Sequence, residues 1–410
     1  MARLRFRLML GMGAGSGGAN FVNSFSNTIL PLILESYGFP HFLIGLLAQE
    51  RSLIGAVVQP AVGAVSDRLR TPLGRRRPFF LLGVPLTAII LAIIATHPPA
   101  LVMAVAIPFL GLFLALAVDP YNALLVDVAT PDERGPLGGI MTATSMAGQI
   151  VLLLAAVRLF AHQQPWLFAV IIAGLVIGFG ITFLTIREPV EQRQPAARPR
   201  WRPTAYVKSV LAEREVAKYA GAMFFFFLGY GASSPFLTQF AVHVLHVSSG
   251  TSFVLVLVAV VVTGILAFPM GMLARRAGKL PVLAVGLMAY AVVTLVGSQT
   301  RTFGQGLITM IFLGACGAMT GPTIGPLLAD MMPRHRAGEF TGLGSLIWSI
   351  ALPIGAMAAG ACIDLTGSYR AVFIFSACMY VVSWMLLRTV RAQAVKPVSV
   401  PERLAAAVEV

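Results

Sequence analysis

Three ionisable side chains interrupt otherwise apolar stretches of this chain: Glu50 and Arg51, beside Gln49, and Asp119. An acid enclosed among apolar helices can load and unload a proton as its access to water changes. Asp119 is the first candidate for proton coupling and Glu50 the second; a structural bond from the buried acid to Asn122 is the competing role. Asn20, Asn23 and Asn27 recur at intervals of three and four, which puts them on one helical face, either to bond a neighbouring helix or to line a cavity, the cavity being favoured. Tyr230, Ser234 and Thr238 follow at intervals of four, with Gln239 adjacent and Pro235 placed to kink the helix. Amides and hydroxyls beside an aromatic ring suit a neutral polyhydroxyl ligand. The candidate cavity set is therefore Asn20, Asn23, Asn27, Arg51, Asn122, Tyr230, Ser234 and Gln239.

Other chemistries find little support. His41, His97, His162, His243 and His246 fall near the ends of apolar stretches, and no acid or cysteine joins the His243/His246 pair, so no metal site is expected. Cys316, Cys362 and Cys378 lie inside apolar runs as small hydrophobes. The sequence has no phosphate-binding loop with its lysine, no nucleophile beside a base and no paired catalytic carboxylates. Neither an enzyme nor a cofactor is expected.

The elements that must position these residues are membrane helices. Of 410 residues, 57% are hydrophobic and 11% charged, against roughly a quarter charged in soluble domains. Hydropathy divides the first half into spans one to six: Leu8–Tyr37, Phe42–Ser66, Phe79–Thr96, Leu101–Val128, Gly138–Phe160 and Trp166–Ile186. Spans seven to twelve are Val216–Val244, Ser252–Leu273, Val282–Gly297, Thr302–Met331, Thr341–Ile363 and Ala371–Leu387. The net charge of +14 gathers at alternate loops, including Arg3, Arg5, Arg7, Arg134, Arg275, Arg276 and Lys279. Basic loops favour the cytoplasm, so both termini are expected there, in the cell's inner (plasma) membrane. The basic excess is then topological, and nucleic acid is not an expected partner.

An internal repeat organises the spans. "PAVGAVSDRL" after span two echoes "PMGMLARRAGK" after span eight, and "LLVDVATPDERG" after span four echoes "LLADMMPRHRAG" after span ten. The chain divides into an N-terminal six-helix bundle (1–187), a Pro- and Arg-rich cytoplasmic linker (188–215), a C-terminal six-helix bundle (216–388) and a cytoplasmic tail (389–410). A duplicated six-span unit with a site between its halves is a transporter architecture. The fold class expected is an all-α membrane protein of twelve helices in two pseudo-symmetric bundles.

One loop carries a family resemblance. In "AVGAVSDRLRTPLGRRRPFF", Gly63, Asp67, Arg68, Gly74, Arg75 and Arg76 resemble the signature loop of the major facilitator superfamily. The longer pattern "VQPAVGAVSDR…GRRRPF", with "PYNALLVDVATPDERG", is similar to sucrose/proton symporters and the related glycoside–pentoside–hexuronide carriers. The resemblance implies a gating latch of Gly63, Asp67, Arg68, Gly74, Arg75, Arg76, Asp127 and Arg134. Asp67 would cap the start of span eleven near Thr341, and Asp127 would accept Arg68 or Arg75. Against the sucrose carriers' pattern in span four, this chain has Gly111 and Asn122, so those carriers' proton and sugar ligands do not transfer.

Counting 1.5 Å per residue from Asp67 and Asp127 puts Arg51 about 24 Å and Asp119 about 12 Å above the loops, which argues against an Arg51–Asp119 pair. Arg158 is expected to meet Glu35 instead. The function expected is secondary active transport by a monomer, as proton-coupled symport of a sugar or glycoside. Efflux of amphipathic small molecules and handling of tetrapyrrole pigments are the alternatives. "GGIMTATSMAGQIVLLLAAV" in span five lacks the Gly-Pro pair usual in drug–proton antiporters.

Overall fold

The computed structural model describes residues 2–55, 58, 62, 66, 71–186, 188, 213–331 and 337–391. Among them every regular element is helical, a form that satisfies the backbone within each segment where lipid offers no hydrogen-bond partner. Helix starts follow local chemistry. Pro40 and Pro99 stand just before His41–Ala48 and Ala100–Val128, and Pro131 opens Pro131–Leu159 behind a Thr130/Glu133 capping box. The Ser248 hydroxyl accepts the Thr251 N–H at 3.2 Å to start Ser249–Ala277. The side-chain caps satisfy backbone N–H groups that the first turn leaves open, and a proline at the first helical position removes one of them.

Nine described helices are long and apolar enough to cross a bilayer, or ten if Arg214–Ser233 and Leu237–Val244, bent by 42°, form one. That bend falls at Pro235, where the sequence predicts a kink. Span one is built of Ala2–Ser24, a π turn over Phe25–Ile29, and Leu30–Ser36. Span two starts as His41–Ala48, breaks at Gln49 (φ −110°, ψ 26°) and resumes before leaving the described residues.

The repeat in the sequence is a repeat in packing. Span one lies against spans five and six as span seven lies against eleven and twelve, and the pairs three–four and three–six recur as nine–ten and nine–twelve. The halves meet through spans two and eleven and, symmetrically, five and eight. Glycine makes the first contact possible. A Cβ on Gly45 would sit 2.2 Å from the Ala356 carbonyl oxygen, and one on Gly360 would sit 2.1 Å from that of His41. These contacts lie at the far end, away from the termini and the arginine-rich loop, which mark the basic end. The described hydrogen bonds between the halves also gather toward the far end. They include Thr238 Oγ1 to the Thr28 carbonyl (3.2 Å) and Gln239 Nε2 to that of Pro31 (3.1 Å). The Thr28 carbonyl belongs to the π turn of span one and that of Pro31 to the first turn of the helix after it, so the partner half bonds span one where its backbone changes pitch.

Candidate functional site

A chain of polar side chains runs through the N-terminal half. Arg51 Nη1 donates to Asn23 Oδ1 at 2.8 Å, and Arg51 Nη2 lies 3.8 Å from Asp119 Oδ1. Asn27 Nδ2 donates to the Asn23 carbonyl at 2.9 Å, and Gln49 Nε2 donates to Asn27 Oδ1 at 2.8 Å. Beside this chain the Ser26 hydroxyl donates to Glu50 Oε1 at 2.8 Å. The π turn carries Ser26 and Asn27, and the break at Gln49 turns three consecutive polar residues of span two toward them. π turns recur at functional sites for this reason: they re-aim side chains. One oxygen each of Glu50 and Asp119 is buried with no hydrogen-bond partner among the described residues.

The Arg51–Asp119 contact corrects the sequence-based expectation. Gly111 sets the level: its Cβ would stand 3.2 Å from the Arg51 backbone nitrogen, and Asp119 lies eight residues, about 12 Å, further along span four. Counting backbone rise omits the reach of the two side chains, which with the 3.8 Å left between them spans that distance.

The C-terminal half presents aromatic rings. Tyr230 keeps 38% of its surface accessible. Phe226 lies 6.4 Å from the Tyr230 ring, and Phe227 lies 4.8 Å from the half-exposed Trp348. Ser234 is half-buried and Asn122 exposed. Two members of the expected cavity set are committed elsewhere. Asn20 donates to the Ser145 carbonyl at 2.7 Å, joining spans one and five. Gln239 is fully buried in the seam between spans one and seven, where its amide donates to the Pro31 carbonyl.

At the basic end Arg75, Arg76 and Arg77 make contacts within their own half. Asp127 accepts from both Arg75 and Arg76, not from Arg75 alone. The Arg76 backbone N–H reaches the Glu188 carboxylate at 3.1 Å. Gly74, at φ +105°, is required there: a Cβ would strike Glu188 Oε2 at 1.9 Å. Arg77 lies 4.0 Å over the Phe183 ring. Arg134 occupies the first turns of Pro131–Leu159. Gly63, Asp67 and Arg68 lie outside the described residues, as do the side chains around Thr341.

A second polar cluster closes the far end. Asp364, in the last turn of span eleven, accepts the backbone N–H groups of His41 (3.0 Å) and Phe42 (2.9 Å), and lies 2.8 Å from His41 Nδ1. His41 Nε2 is 2.9 Å from the Tyr369 hydroxyl, which donates to Glu35. His243 Nε2 lies 2.8 Å from the same Glu35 oxygen, and its ring stacks on Tyr369 at 4.9 Å. Glu35 therefore meets His243 and Tyr369, not the exposed Arg158 as the sequence predicts, because span seven and the loop after span eleven close over it. Sequence reasoning missed this cluster and Glu188. The available signal was polar residues at the far ends of spans from both halves.

Comparison with known proteins agrees with this architecture. The family model described as Major Facilitator Superfamily matches residues 12–262 and 219–409. Over 68 residues the chain is 35% identical to the sucrose transport protein SUT3 of Oryza sativa subsp. indica, a match of 17% of this chain and 13% of that protein. It is 29% identical over 164 residues to a human membrane-associated transporter protein, covering 36% of this chain and 31% of the relative. These matches span well under half of either relative. The multidrug resistance protein MdtG of Salmonella paratyphi A is 24% identical over 380 residues, 88% of this chain and 90% of the relative. In fold, the nucleoside transporter NupG superposes with a TM-score of 0.72 at 13% identity, covering 93% of this chain and 98% of that one. The D-xylose-proton symporter gives 0.70 at 16% identity, covering 95% and 98%. With apolar spans whose packing repeats in two halves and a family match along nearly its whole length, this chain belongs to the major facilitator superfamily and is an integral membrane protein.

Proposed function

We propose that the protein is a secondary active transporter that couples proton movement to the passage of a sugar or glycoside between its two halves. The observation that carries this is the Asp119–Arg51–Asn23 chain, with a carboxyl oxygen of Asp119 buried and unpartnered. A buried acceptor without a partner costs about 1–3 kcal/mol, so a proton or a ligand hydroxyl has reason to arrive there. Amides on one wall and the Tyr230 ring on the other match a ligand with polar edges and an apolar face. Asp119 is the coupling acid in this reading, Glu50 a second, and Arg51 and Asn23 the groups nearest the ligand. The 1–187 and 216–388 bundles are the moving bodies, joined by the 188–215 linker. The latch of Gly63, Asp67, Arg68 and Gly74 would hold their basic ends together when the far end opens, with Arg75 and Arg76 bracing Asp127.

The test is uptake into proteoliposomes under an imposed proton gradient, with sucrose, maltose and aryl glucosides as substrates. Gradient-driven accumulation of one of them, lost in Asp119→Asn, is expected. Uptake indifferent to the gradient would overturn the coupling. A second reading, export of amphipathic molecules, draws on the near full-length likeness to MdtG and on the Phe227/Trp348 surface. Gradient-driven movement of a lipophilic cation, with no sugar moved, would select it.

A further inference from the structure

The far-end cluster contains a countable proton. Three contacts lie in series: Asp364 to His41 Nδ1, His41 Nε2 to the Tyr369 hydroxyl, and that hydroxyl to Glu35. Each needs one hydrogen between its two heavy atoms. Ionised carboxylates are acceptors only, neutral imidazole brings one N–H and a phenol brings one O–H. In their ordinary neutral-pH states the four groups supply two hydrogens for three bonds. A fourth bond, from His243 to Glu35, uses that ring's own N–H and lends nothing to the series.

We propose that the far end binds one proton as it shuts, held along the His41–Tyr369–Glu35 series, and gives it back to water when it opens. Glu35 and His41 come from the N-terminal half, Asp364, Tyr369 and His243 from the C-terminal half, so the series exists only while the halves touch. These are also the titratable groups that face His41: Glu35 from span one, His243 from span seven, Asp364 from span eleven and Tyr369 from the loop beyond it. The balance is simple. Closing takes H⁺ from bulk water onto an imidazole nitrogen or a Glu35 oxygen; opening separates the acceptors, and that proton leaves. The site is distinct from Asp119 and Glu50 and does not depend on which solute is carried. Its sign is fixed by linkage. A group protonated more readily in the closed state makes closure stronger at lower pH, and that advantage is lost as pH rises through the closed-state value.

The experiment places spin labels on Leu101→Cys and Arg301→Cys, at the far ends of spans four and ten, in full-length protein whose three native cysteines are alanine. Distances are recorded in lipid nanodiscs from pH 5 to 9. One proton predicts a closed-to-open ratio that is flat below about pH 6.5, then falls about tenfold per unit until the closed-state pKa is passed. His41→Gln is expected to flatten the slope. A wild-type ratio that ignores pH would overturn the proposal whether or not the variant folds, and so would a slope that survives in His41→Gln. Neither result bears on sugar uptake, which is judged by the proteoliposome assay alone.

Discussion

The carboxylate of Asp364 receives the backbone N–H groups of His41 and Phe42, so an acid ending span eleven caps the helix that opens span two. The sequence predicts the mirror arrangement at the basic end, with Asp67 ending span two and facing the start of span eleven. In that prediction the same helix pair carries an acid at each extremity. In the far-end contact the charge meets the positive helix terminus across the boundary between halves, where it favours one arrangement of the molecule over another.

Asp364→Asn should keep the shape of that cap and remove its charge. The expected loss is about 1 kcal/mol of far-end closure, roughly fivefold in the closed-to-open ratio. Label distances across the far end would read it. An unchanged ratio would mean that the carboxylate is decorative.

Gly360→Ala should prevent spans two and eleven from meeting, since the added carbon would stand 2.1 Å from the His41 carbonyl oxygen. Each bundle should still fold, because the clash lies between halves. Cysteine cross-linking across the far end should fall at least tenfold while thermal unfolding moves little.

Asp119→Asn should leave Arg51 short of a counter-charge. Arg51 remains 29% exposed, so solvent screens part of the loss; about 1–2 kcal/mol of stability is expected to disappear. Combining it with Arg51→Gln should cost less than the sum of the single changes. Additive losses in this cycle would show the 3.8 Å contact to be energetically empty.

Asp127→Asn should loosen the basic rim of the N-terminal half, because Arg76, buried to 6% exposure, loses its charged acceptor. A loss of about 2 kcal/mol is expected, seen as a lower unfolding temperature of the purified protein. Wild-type unfolding behaviour would leave Glu188 as the sufficient anchor.

The fold was largely legible because lipid allows so few solutions: apolar length gives the spans, and echoing loop sequences give the two halves. Asn23, Arg51 and Asp119 stood out because charge and amide are costly inside such helices. Their connection did not, since the sequence shows backbone spacing but neither the span of an arginine side chain nor the π turn that re-aims Ser26 and Asn27. Gln239 misled for the opposite reason. It stands next to the Tyr230, Ser234 and Thr238 stripe, yet the fold turns its amide to the Pro31 carbonyl of the other half, an acceptor that no periodicity reveals. The far-end cluster draws on four separate segments, each contributing one or two polar residues near a loop, where polar residues are ordinary. Only their convergence is unusual, and convergence is a property of the fold.

Gly45 and Gly360 press main chain against main chain where spans two and eleven cross, with no side chains between to bend or re-pack. Dispersion between such surfaces fades within an ångström of separation. A joint of that kind has no half-grip: it behaves as a snap fastener rather than a spring, and passage past it proceeds in discrete clicks.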